Sequence, residues 1–379
     1  METTHYPIIE DCTTMSQVTD CSIDLVVTSP PYPMIQMWDS GFTQAVPEIG
    51  DLLATGKGTA AFEAMHQVLD PVWAECFRVL KPGGFACINI GDATRTLADH
   101  FALYPNHARI ISATQALGFT VLPCILWRKQ TNAPNKYMGS GMLPAGAYVT
   151  LEHEYILILR KGGKRQFTSQ TERKLRQESA LFWEERNTWF SDIWLDLKGS
   201  RQRLNQKSDL KADRKRSGAF PFDLAARLIA MYSLKGDRVL DPFLGTGTTI
   251  AAAMALGRHS TGYEKDPGLA PAIAAAAETA VAEGKRLAHQ RLVRHLTFVL
   301  DRMDTKGPLK HRNTHYGFPV MTAQEKNLVL NDPVAIHQSE QTPFTVTYAT
   351  DPQDWFCRDW EDILSGEGAE LLISSLTQG

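Results

Sequence analysis

Five consecutive residues near the start of the chain, Thr28, Ser29, Pro30, Pro31 and Tyr32, bring together a hydroxyl, proline carbonyls and an aromatic face. Proline fixes φ near about −65° and carries no backbone donor. Two in a row make a rigid loop whose bare carbonyls, with the Ser29 hydroxyl, can accept hydrogen bonds from an amino group. Tyr32 adds a flat surface on which a planar ring can stack. Taken alone, a Pro-Pro-Tyr stretch reads first as a proline turn with a core tyrosine.

A second candidate lies far along the chain. Asp241, Pro242, Phe243, Leu244, Gly245, Thr246, Gly247, Thr248 and Thr249 follow a short apolar run and open an alanine-rich one. Glycines there let the backbone approach a ligand closely. The helix N-terminus that follows suits a carboxylate, through its N–H groups and its dipole. Glu264 ends the next apolar run, 23 residues after Asp241, where an acid can accept hydrogen bonds from ribose hydroxyls. The turn lacks the full Gly-x-Gly-x-x-Gly spacing and the Gly-Lys-Ser/Thr ending of a phosphate loop, so neither a dinucleotide nor a nucleoside triphosphate fits well. By itself it is also compatible with an ordinary tight βα turn.

The elements that must position these residues follow from apolar periodicity. Residues 23–28 are a β-branched run that predicts a buried strand entering the proline loop. Phe62, Met65, Val68, Leu69, Val72, Phe77 and Leu80 recur at helical spacing over 60–80, and Lys81 to Gly84 predicts the stop. Strands are expected at 85–90, near 119–127 and 153–160, at 238–241 and at 260–264. Helices are expected at 104–117, 221–234, 248–257 and 269–284. Alternation of strand and helix predicts an α/β fold, a doubly wound parallel sheet.

The 379 residues carry a net charge of −3, so any nucleic-acid surface must be local. One segment offers it: residues 160–217 hold 16 Lys or Arg against 8 Asp or Glu, interleaved with Trp183, Trp189 and Trp194. Those tryptophans are read as packing residues. The six cysteines form no Cys-x-x-Cys pair, which argues against zinc and against a disulfide framework. No metal is expected. The first residues show no secretion signal and no apolar run is long enough for a membrane helix, so a cytoplasmic protein with no membrane partner is expected. Residues 305–379 lack clear βα periodicity.

Together the two motifs resemble those of the DNA amino-methyltransferases, the N4-cytosine and N6-adenine family. Its catalytic loop is Asp/Asn/Ser-Pro-Pro-Tyr, and its cofactor turn is similar to Asp241–Gly247. Glu10, Asp11 and Cys12 match the acidic element that reads the cofactor adenine in that family. The stretch Arg78–Gly84 and the Ala219, Phe220, Pro221 element are similar too. With the catalytic loop first and the cofactor turn late, the order is that of the β group, and the basic segment occupies the place of the target-recognition region. The resemblance implies a Rossmann-like methyltransferase sheet. Residues 1–160 would be the catalytic half and 161–217 the inserted target-recognition region. Residues 218–304 would be the cofactor-binding half, with 305–379 an extension without an assigned role.

The resemblance also implies chemistry. Ser29, Pro30, Pro31 and Tyr32 would be catalytic. Asp11, Cys12, Thr28, Ser29, Asp241, Pro242, Phe243, Gly245, Thr246, Gly247, Thr248 and Glu264 would bind S-adenosylmethionine. Ser29 Oγ and the Pro30 carbonyl would hold the two amino hydrogens of a flipped-out base, with Tyr32 stacked on it. Serine at the first loop position points to cytosine N4, with adenine N6 and an RNA amino group as alternatives. Methylation at the 5-carbon of cytosine would need a cysteine nucleophile, and Cys124, inside a strand-like apolar run, reads as core. A chain that binds but no longer catalyses is a further alternative, which the intact motifs oppose. Asp92 is open between lining the cofactor pocket and capping a helix. Double-stranded DNA is the expected partner, either with a cognate restriction endonuclease as companion or as the target of a stand-alone modification or regulatory enzyme, and the chain is expected to be a monomer or homodimer.

Overall fold

The computed structural model describes residues 1–129, 148–198, 220–338, 344–358 and 360. Its strands, in chain order, are β1 (Glu2–Ile8), β2 (Ile23–Thr28), β3 (Leu80–Ile90), β4 (Ala93–Leu97), β5 (His100–Tyr104), β6 (Phe119–Arg128), β7 (His153–Lys161), β8 (Ile193–Trp194), β9 (Arg238–Asp241), β10 (His259–Tyr263), β11 (His311–Arg312), β12 (Pro319–Val320), β13 (Pro333–His337) and β14 (Phe344–Tyr348). Ten of them make one sheet in the order β13-β14-β1-β10-β9-β2-β3-β7-β6-β8. From β1 through β3 all neighbours are parallel.

Parallel strands need both faces covered, and the residues of β2 show it: all six are buried. Ile23 and Val26 join a core with the helix α3 (Gly58–Val79), which lies downstream of two short helices, α1 (Asp39–Ala45) and α2 (Glu48–Ala54). Leu25 and Val27 join the opposite core. α4 (Asn106–Ala116) lies on the α3 side and ends as expected just before Gly118, which sits at φ +102°. Two helices of the basic segment, α5 (Gln170–Glu178) and α6 (Trp183–Trp189), come next. α7 (Phe222–Tyr232) and α8 (Thr248–Ala255) cover the Leu25 face, and α9 (Ala270–Lys306) packs along α8. Each fully buried Val, Leu or Ile contributes about 1.5–3 kcal/mol, so these two layers dominate the stability.

The strand β9 is followed by β10 on one side of it, and β2 is followed by β3 on the other. Strand order therefore reverses between β9 and β2. Crevices outside the carboxyl ends of strands at such a switch point are where open α/β sheets bind ligands. The Ser29 loop and the Asp241 turn leave these two neighbouring strands.

Several expectations need correction. Lys81–Gly84 does not separate helix from strand, because α3 ends at Val79 and β3 already begins at Leu80. β7 runs antiparallel to both β3 and β6, since its buried apolar run Ile156–Leu159 suits either direction. The last long helix continues to Lys306 instead of stopping near 284. β1 has no counterpart among the sequence expectations. The 305–379 stretch contributes β13 and β14, which extend the sheet beyond β1.

The basic segment, of which residues 199–217 lie outside the described residues, adds β8 alongside β6. Trp189 and Trp194 are buried there, and Trp127 Nε1 donates to the Leu197 carbonyl at 2.9 Å. Trp183 is exposed and stacks on Phe298. The packing role expected of the tryptophans holds for Trp189 and Trp194, which are buried, whereas Trp183 lies on the surface. Ala219 also lies outside the described residues. Among the described residues, no helix is long and apolar enough to cross a membrane, and all six cysteines are unpaired.

Candidate active site

A cavity of about 450 Å³ opens at the carboxyl ends of the central strands. That volume lies in the range of small-molecule sites. Its walls come from four strand ends. Glu10 to Thr13 follow β1, Ser29 to Pro31 follow β2, Asp241 ends β9 with Pro242 to Thr246 and Thr248 after it, and Glu264 to Asp266 follow β10. α3 supplies an apolar side with Val68, Leu69 and Val72.

Asp241 joins two of these walls. Its carboxylate is buried and accepts three hydrogen bonds: from Thr28 Oγ1 at 2.6 Å, from Thr249 Oγ1 at 2.6 Å and from the Phe243 amide at 3.0 Å. Burial pushes its carboxyl up to about 6, with these three donors working against that shift. Both oxygens are thus engaged inside the protein.

Glu264 is held differently. Oε2 accepts from the Gly245 amide at 2.9 Å and Oε1 from the Asp266 amide at 2.8 Å. Burial raises its carboxyl above the ordinary range, against those two amides. A carboxylate offers about four lone-pair sites, so Glu264 retains capacity toward a ligand. Gly245 sits at φ +58° with only one atom near the position a Cβ would take. Gly247, at φ +90°, is the residue before α8, and a Cβ there would lie 3.2 Å from Ile273 Cα. One glycine opens the turn toward the cavity and the other lets α9 pack against it.

Beyond the proline loop lies a polar network. Ser29 Oγ donates to Tyr32 Oη at 3.1 Å, and Tyr32 Oη donates to Glu154 Oε2 at 3.0 Å. Asn89 Nδ2 donates to both Tyr32 Oη (2.8 Å) and Glu154 Oε2 (2.7 Å). Lys129 Nζ donates to Glu154 Oε1 at 2.8 Å. Burial, and then the Glu154 carboxylate, push the Tyr32 hydroxyl well above its ordinary value, so it stays protonated.

Of the residues singled out in the sequence, Asp11, Cys12, Ser29, Pro30, Pro31, Asp241, Pro242, Phe243, Gly245, Thr246, Thr248 and Glu264 share the cavity. Thr28, Tyr32 and Gly247 are outside its lining: Thr28 is buried against Asp241, Tyr32 is engaged through its hydroxyl, and Gly247 serves helix packing. Burial pushes the Cys12 thiol up to about 12, which leaves it an inert wall. Asp92 lies outside the cavity lining: its carboxylate accepts from the His107 amide at 3.1 Å in the first turn of α4 and pairs with His107 Nδ1 at 2.8 Å. Sequence reasoning missed Met37, Trp38 and Phe42, which lie in or beside short helices too brief for a periodic signal. It missed Asn89 and Glu154 as well. An acid entering the apolar run of β7 was the one available mark of Glu154.

The mostly parallel sheet, the switch-point cavity and the two loops define a Rossmann-like α/β fold of the methyltransferase kind. A family described as DNA methylase, of the N6/N4 type, matches residues 23–275. The chain is 48% identical to the type II methyltransferase M.MthZI of Methanothermobacter thermautotrophicus, over 92% of this chain and 96% of that protein. It is 48% identical to the type II methyltransferase M.MjaI of Methanocaldococcus jannaschii, over 72% and 90% of the two. The crystal structure of TTHA0409 from Thermus thermophilus complexed with S-adenosyl-L-methionine matches with a TM-score of 0.54 and 32% identity, over 71% of this chain and 91% of that one. The chain belongs to the N6/N4 DNA methylase family.

Proposed function

We propose that the chain is an S-adenosylmethionine-dependent DNA methyltransferase that modifies the exocyclic N4 amino group of cytosine, as the modification enzyme of a type II restriction system. The observation that carries this reading is the shared cavity: Ser29, Pro30 and Pro31 line the same space as the Asp241–Thr248 turn and Glu264. The type II names of the relatives and the cofactor bound to TTHA0409 support it.

The residues present fit the cofactor. Glu264 retains lone pairs for ribose hydroxyls, and Asp11 and Cys12, which line the same cavity, are assigned to the adenine edge. Gly245 leaves the turn open for close approach, and the N-terminus of α8 suits a carboxylate. Asp241 acts by fixing the turn against β2, since both its oxygens are taken. When bound, S-adenosylmethionine supplies a methyl group activated on a sulfonium. Ser29 Oγ and the Pro30 carbonyl orient the acceptor amine by taking its two hydrogens, which favours a pyramidal nitrogen with its lone pair directed outward. Exposed Lys164, Arg173, Lys174 and Arg176 offer charge for DNA phosphates. The target base leaves the duplex to reach Ser29.

Serine, in place of an acid, at the first loop position favours cytosine over adenine. The test is mass spectrometry of nucleosides from DNA incubated with the chain and S-adenosylmethionine. N4-methylcytosine is the expected product. N6-methyladenine would overturn the base assignment alone, and unmethylated DNA would overturn the reading as a whole.

A further inference from the structure

A row of hydroxyl groups has a direction, and a carboxylate at one end sets it. An ionised carboxylate only accepts. The Lys129 ammonium occupies Glu154 Oε1, and Oε2 receives Tyr32 Oη and Asn89 Nδ2. Tyr32 has one proton, and it goes to Glu154. Its oxygen is then an acceptor toward Asn89 and Ser29, so the Ser29 proton goes to Tyr32. Ser29 is left with lone pairs only for whatever enters the cavity it lines.

We propose that Glu154 is a positioning residue for methyl transfer, which fixes Ser29 as an acceptor through Tyr32 and receives, along the same two hydroxyls, the proton the amine must lose. The inference rests on the role proposed above for Ser29. The balance closes. The amino nitrogen uses its lone pair to form the new N–C bond and becomes cationic, while the electrons of the broken S–C bond stay on sulfur. The nitrogen gives a proton to Ser29 Oγ, the Ser29 proton passes to Tyr32 Oη, and the Tyr32 proton passes to Glu154 Oε2. Positive sulfonium and negative carboxylate become a neutral thioether and a neutral acid. Asn89, donating to both Tyr32 and Glu154, keeps the two in register.

The test pairs Glu154→Gln with Tyr32→Phe, which keeps the ring and removes the relay atom. With unmethylated genomic DNA and S-adenosylmethionine, each substitution is expected to lower kcat about a hundredfold, the scale of a lost general base. KM for DNA and cofactor Kd should stay within about twofold, and the double variant should be no slower than either single one. A second readout needs no turnover. In the cofactor-free chain carrying ring-13C tyrosine, the Cζ resonance of Tyr32, assigned by its loss in Tyr32→Phe, should move in Glu154→Gln. An unmoved resonance, additive rate losses, or Glu154→Gln at the wild-type rate would overturn the relay while leaving the reaction standing. A wild-type chain that leaves DNA unmethylated would overturn the reaction, and the relay with it.

Discussion

The loops after β2 and β9 leave adjacent parallel strands and line one cavity, yet their backbones are chemical opposites. The first is built of prolines, which withhold N–H groups and leave carbonyls and the Ser29 hydroxyl as acceptors. The second is built of glycines and the start of α8, where amide donors concentrate. On the proposed roles, an amine would meet acceptors and a carboxylate would meet donors. The same position in the fold thus presents two surfaces of opposite polarity, and the choice between them is made by residues that lack either a donor or a side chain. Asp241 is the seam, since it takes a hydroxyl from the end of β2 and another from α8.

The largest effect should come from the acceptor side alone. Ser29→Ala is expected to lower turnover about a hundredfold or more with cofactor affinity unchanged, as single-turnover rates and calorimetry would show. Equal turnover would remove Ser29 from the chemistry. Breaking the seam should affect both sides. Asp241→Ala strands two threonine hydroxyls and an amide, and is expected to cost about 3 kcal/mol in denaturant unfolding and to weaken cofactor binding about tenfold. An unaltered dissociation constant would confine Asp241 to stability.

The two glycines sharpen the comparison within the donor side. Gly247→Ala combines a positive φ with a backbone neighbour at 3.2 Å and should cost about 2–3 kcal/mol, whereas Gly245→Ala, strained but uncrowded, should cost about 1 kcal/mol. Equal losses would mean that α9 yields to the added methyl. A last handle on the seam is pH. Asp241 titrates near 6 when folded against 3.8 when exposed, so its contribution to stability is full below about pH 4 and falls as pH rises to about 6. Asp241→Asn should flatten that part of the pH–stability curve.

The motifs were legible because proline, glycine and β-branched runs act locally. Ile23–Thr28 and Arg238–Asp241 could hardly be other than buried strands, and the residues just after them announced the cavity. β1 was not legible. Its run of Glu, Thr, Thr, His and Tyr reads as surface, yet Thr3 and His5 are buried because each finds a distant partner, Tyr348 and Ser260 respectively. Polar residues of that kind are satisfied only after the sheet exists. Glu154 was hidden for the same reason: its meaning comes from Tyr32, 122 residues upstream. The direction of β7 was illegible since Ile156–Leu159 are buried whichever way they run.

The pairing of β1 bears on how the chain comes into being. His5 lies beside Ser260 on one flank and Phe344 on the other, while Leu25 lies beside Val239. During synthesis the first strand emerges long before either neighbour, and contacts of such sequence separation form slowly. Half of the ligand cavity, the half built on β9 and β10, has to be translated before the Ser29 loop has anything to face. A ribosome paused in the middle of this message would hold a chain with a finished acceptor loop and no donor turn. Competence to mark DNA would therefore arrive late and all at once, with the closing of the sheet.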